Sequence, residues 1–135
     1  MSYINDSILI LINVLHIIVI LFIIGAPFSN SNYLLVLHII VVPFIMLHWV
    51  LNNNTCCLTV TEKFIREKTN GKKSCDEECF SYQFIAPIYD FNKNYDAYSD
   101  FIYLLTAGLW GVSVFNLGKK IKNNEIKSIE DLSKL

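Results

Sequence analysis

Two apolar runs, Ser7 to Phe28 and Tyr33 to Leu51, with an uncharged turn between them, constrain this chain more than any other feature. A helix of roughly 20 residues crosses a hydrocarbon core of about 30 Å, so each run is long enough to span a bilayer. A cleaved signal peptide is the competing reading of the first run. It would want a basic leader and an apolar stretch of about 7–15 residues, and neither is present, so a retained helix over 7–26 is expected. The turn GAPFSNSN collects Gly, Pro, Ser and Asn, as a tight connection between antiparallel helices does. The second helix is expected over 33–51. Pro43 removes one backbone donor inside it, which membrane helices tolerate, and Trp49 falls at interface depth.

A third apolar run, Phe101 to Leu117, is about the minimum for a span, with Tyr98 and Tyr103 marking one interface. Ala107 and Gly111 stand four apart, a spacing that admits a second helix closely and reads here as packing within the chain. The expected fold is all-α, an integral membrane bundle of three transmembrane helices, with an ordered extramembrane loop over 52–100 and a charged tail over 118–135. A length of 135 residues with 53% hydrophobic content fits one membrane domain, 1–135. The formal net charge of −1 excludes nucleic acid as a partner and leaves the lipid bilayer. The tail, with Ile126, Ile129 and Leu132 at spacing of three, fits a short amphipathic helix or a solvated end equally.

Three spans put the loop and the tail on opposite sides of the bilayer. The loop carries six basic and eight acidic residues and the tail five and three, so the positive-inside rule assigns the tail to the cytosol. Cys56, Cys57, Cys75 and Cys79 then face an oxidising exterior or lumen. Two disulfides are expected, each joining Cys56 or Cys57 to Cys75 or Cys79, because adjacent cysteines rarely bond each other. A four-cysteine zinc site is the alternative, disfavoured because the Cys56 side lacks paired spacing, so no metal is assigned.

The junction from His48 to Glu67, HWVLNNNTCCLTVTEKFIRE, has a structural reading of its own. Thr59 and Glu62 have the spacing of a capping box, which starts a helix at Val60. Arg66 follows Glu62 by four residues in the favourable order, and Gly71 is the expected stop. Five polar side chains, Asn13, His16, His38, His48 and Asn116, lie within or at the ends of the spans, where polar groups are functional hypotheses by default. A haem held by His16 and His38 is the sharp version, with the two about 5–8 Å apart in depth at 1.5 Å rise per residue. The plain version has neutral imidazoles bonded to Asn13, Asn116 or backbone carbonyls, with no cofactor. No catalytic set is visible, since Glu62 has no second acid, base or nucleophile beside it.

The junction residues Cys56-Cys57-Leu58-Thr59, Glu62 and Arg66 resemble those of an uncharacterised family of small multispanning membrane proteins, whose hallmark is Cys-Pro-Leu-Thr followed by Glu and then Arg. The similarity extends to Leu15-His16, Gly25, His38, Trp49, Phe84-Ile85, Pro87-Ile88-Tyr89 and Asn116. Cys57 replaces the family proline, and residues 72–78 and the lysine-rich tail depart from the pattern. Small membrane proteins of giant DNA viruses have a similar junction, consistent with the Ile, Asn and Lys bias of an AT-rich genome. The resemblance implies membrane residence and no established activity.

The expected function is therefore a non-enzymatic multi-pass protein, a structural or interaction component of a virion or host membrane, with other membrane or capsid proteins as partners. The alternative is a membrane redox protein using His16 and His38 for haem or the loop cysteines for thiol exchange. A channel is the third class, and three helices without an intramembrane acid offer it little lining.

Overall fold

The chain forms six α-helices among the residues that the computed structural model describes: 2–74, 78–87 and 94–132, without the side chains of 2, 3, 81, 84 and 85. They are α1 (Ser2–Gly25), α2 (Asn32–Leu51), α3 (Cys57–Asn70), α4 (Phe80–Ile85), α5 (Tyr95–Lys122) and α6 (Ile129–Leu132). A 3-10 turn, Ala26–Phe28, follows α1. Three stretches, Ile4–Phe28, Asn32–Leu51 and Tyr95–Lys122, are long and apolar enough to cross a membrane. The third exceeds the expected span at both ends because polar residues extend the helix beyond its apolar centre.

Helix ends follow from side chains that take up orphan backbone groups. Ser31 Oγ accepts the Leu34 N–H at 3.3 Å before α2, and Asn94 Oδ1 accepts the Ala97 N–H at 3.2 Å before α5. At the C-termini, Asn53 (φ 51) and Asn124 (φ 57) take the left-handed conformation. The next residues reach back, Asn54 N–H to the Trp49 carbonyl at 2.7 Å and Glu125 N–H to the Lys120 carbonyl at 3.0 Å. These are Schellman closures with asparagine in the place glycine usually holds. Gly71 (φ 64) ends α3 as expected, its N–H on the Glu67 carbonyl.

The chain divides into two compact units, 1–18 with 48–99 and 19–47 with 100–135. In the second, the core is Ile23, Ala26, Leu35, Val42 and the buried polar residues His38, Thr106 and Ser113. The tail is docked there: Asn32 Nδ2 donates to the Asp131 carbonyl at 3.0 Å, and Lys120 donates to the Asn30 carbonyl and to Asn32 Oδ1. Ile129 is left 86% exposed and Leu132 is half-buried, so no residue of α6 is fully buried. Gly111 corrects the small-residue reading, since it is exposed and a Cβ there would meet nothing within 4 Å, so none of the described helices approaches closely at that position.

Candidate functional site

Glu62 is the centre of the first unit, fully buried on α3. One carboxylate oxygen accepts from both Arg66 Nε at 3.0 Å and the neighbouring guanidinium nitrogen at 2.8 Å. Both oxygens also accept the Phe80 N–H, at 3.1 and 3.2 Å. Phe80 opens α4, so its N–H is one of the orphan donors of a helix start, and the carboxylate of α3 satisfies it. Glu62 thus latches α4 onto α3 while Arg66, a quarter exposed, balances its charge.

His16, on α1, lies over this latch. Its ring stacks on Phe80 with centroids 6.0 Å apart, and its Nε2 is 3.4 Å from Thr59 Oγ1. Thr59 is therefore an inward-facing residue of the first turn, and α3 begins at Cys57 instead of the expected Val60. The earlier start has a cause on α2: His48 Nε2 accepts the Cys57 N–H at 3.0 Å, capping α3 from outside. Asn13 Oδ1 and His16 Nδ1 are buried with no hydrogen-bond partner among the described residues.

The cysteines depart from the expected bridges. Cys56 and Cys57 carry free thiols, which leaves neither disulfide formed; Cys79 is buried, and Cys75 lies outside the described residues, as do 88–93. The geometry explains it, because the Glu62 carboxylate fixes the backbone next to Cys79, and Glu62 is about 7.5 Å of helix rise beyond Cys57. Burial pushes the Cys56 thiol up, against the weaker opposing pull of the Leu58 and Thr59 N–H groups and the Trp49 side chain. No group of three or more His, Cys, Asp or Glu residues among those described could hold a metal ion.

In the second unit, His38 is fully buried and both its nitrogens are used. Nε2 donates to the Ile23 carbonyl at 3.1 Å, which leaves Nδ1 to accept from the Ser113 hydroxyl at 2.9 Å. Residue 27 is a proline and offers the Ile23 carbonyl no N–H, so the imidazole takes the place of the missing helix bond. Pro43 does the same to the Ile39 carbonyl, and Trp110 Nε1 fills it at 3.0 Å. Asn116 Nδ2 donates to the Pro27 carbonyl at 2.9 Å and Tyr103 to the Met46 carbonyl at 3.0 Å. The carbonyl partners foreseen for the span histidines are thus found at His38, whereas His48 acts as a cap. Trp110 and Ser113 were missed from sequence and Tyr103 was read only as an interface marker, although a proline four residues after a carbonyl was a usable signal for Trp110.

Comparison with family models, with curated proteins and with solved structures gives no match.

Proposed function

We propose that this chain is a non-enzymatic, multi-pass membrane protein, a structural or interaction component of the membrane that carries it. The observation that supports this reading is how polar groups are spent. In the second unit His38, Ser113, Trp110, Tyr103 and Asn116 tie helix to helix. The exposed side chains of the spans are large and apolar, as at Leu21 (64%), Phe44 (68%) and Leu104 (74%). Apolar surface of that extent belongs against lipid. In this reading 52–100 is an ordered extramembrane segment, exterior or lumenal, and the lysine-rich tail is cytosolic. The junction resemblance and the coding bias favour a virion or its host membrane, with membrane or capsid proteins as neighbours.

The redox alternative has less support. A haem iron on His38 would displace the bond to Ser113 or to Ile23, and a thiol held protonated by burial, as at Cys56, is a poor nucleophile. The test is carbonate extraction of the full chain from membranes, protease protection of the tail, cross-linking to neighbours, and an absorbance spectrum. Retention in the pellet with a colourless protein and cross-linked membrane or capsid partners supports the reading. Release into the supernatant, or a stoichiometric haem band, overturns it.

A further inference from the structure

The end of α5 carries a shallow, open cleft along one side of the helix that the helix ties do not use. It measures about 490 Å³ and is lined by Phe115, Gly118, Lys119, Lys122 and Asn123. Phe115 is 71% exposed, and spacings of three and four put it on one face with Gly118, Lys119 and Lys122. A rise of 1.5 Å per residue sets Lys119 about 6 Å and Lys122 about 10 Å beyond the phenyl ring's Cα. Gly118 is exposed between Phe115 and the lysines, and a Cβ there would meet nothing within 4 Å.

Charge is arranged unevenly around it. Lys120 is engaged by Asn30 and Asn32, and Glu125 accepts from Asn123 at 3.4 Å. The side-chain ammonium groups of Lys119 and Lys122 make no hydrogen bond or ion pair with any described residue, so two cations at the end of an apolar helix form no pair with an anion there. Lysine stems lie along apolar surface while their ammonium groups reach the headgroup layer. An occupant must then be apolar beside Phe115 and anionic beside the lysines.

We propose that this cleft binds an anionic phospholipid, with its phosphate between Lys119 and Lys122, its headgroup over Gly118 and its acyl chain along Phe115. The proposal rests on the membrane reading, and the cytosolic placement of the tail puts the cleft in the leaflet richest in anionic lipid.

The test is native mass spectrometry of the full chain in micelles doped with phosphatidylserine, phosphatidylglycerol or phosphatidylcholine. One retained anionic lipid per chain, preferred over phosphatidylcholine, is expected. Lys119→Gln with Lys122→Gln lowers that retention by about 10–30-fold, as two lysine–headgroup attractions imply. Gly118→Leu puts a side chain where the headgroup would lie and lowers it comparably with both lysines present. Equal retention of phosphatidylcholine, full preference in either variant, or displacement by millimolar inorganic phosphate overturns the proposal. If Gly118→Leu loses the monodisperse fold, the lysine pair decides. Carbonate extraction reports separately on membrane residence, so the two readings fail distinguishably.

Discussion

His38 Nε2 donates at 3.1 Å to the carbonyl of Ile23, the acceptor that Pro27 leaves open. His38→Leu strands that carbonyl and the Ser113 hydroxyl, which costs about 1–3 kcal/mol. Pro27→Ala restores a backbone N–H to the same carbonyl. Because Pro27 is itself buried, the informative quantity is the coupling between the two changes, expected at about 0.5–2 kcal/mol in thermal unfolding of the micellar protein. Strict additivity would show that the imidazole does not substitute for the helix bond.

The Trp110 indole does the same for Ile39 beside Pro43. Trp110→Phe keeps the ring and removes the donor, so a loss of about 0.6–2 kcal/mol is expected. Pro43 is exposed, and Pro43→Ala is expected to be tolerated and to make the second change nearly silent. A Trp110→Phe loss of equal size in both backgrounds would count against the link.

Glu62 holds α4 through the Phe80 N–H. Glu62→Ala leaves that N–H and the Arg66 guanidinium without their acceptor. Loss of a buried partner would cost about 3–5 kcal/mol, and about 2–3 kcal/mol is expected here because Arg66 is 25% exposed and water screens it. Limited trypsin digestion should then cut faster at Lys72 and Lys73, with Glu62→Gln intermediate. Unchanged cleavage in Glu62→Ala would mean that α4 is held by something else.

Asn13 Oδ1 and His16 Nδ1 are buried with no hydrogen-bond partner among the described residues. Replacing an unsatisfied polar group by an apolar one of similar size removes its desolvation penalty, so Asn13→Leu is expected to leave the unfolding temperature unchanged or to raise it. A drop of several degrees would reveal a partner bound to that amide.

The three long apolar helices were legible because length and apolarity are properties of the chain alone, and Glu62–Arg66 because spacing of four on a helix is local. The helix start at Cys57 was not, since its cap is His48, nine residues earlier on another helix. His38 with Ser113 joins residues 75 apart, which no local pattern encodes. The disulfides were inferred from an even cysteine count, a compositional rule that carries no distance. The asparagine closures at Asn53 and Asn124 were readable in principle, as NNN and NNE directly after apolar helices.

Cys56 and Cys57 supply the last test. Both thiols are free, so reductant is expected to leave the unfolding temperature unchanged, and non-reducing gels should show no bridge between either of them and the 75–79 segment. Cys57 is exposed, while burial raises the Cys56 pKa above its ordinary value of 9.0. The thiolate is the reactive form, so iodoacetamide at neutral pH should modify Cys57 first, with Cys56 labelling gaining only as pH rises beyond the usual thiol range. The folded chain holds the Cys56 proton more tightly than the unfolded one. That contribution to stability is therefore complete below the unfolded thiol pKa and is lost as pH climbs through the raised folded value. Mass mapping of the alkylated peptides separates the two sites, and faster labelling of Cys56 than of Cys57 at pH 7 would contradict the burial that sets the difference.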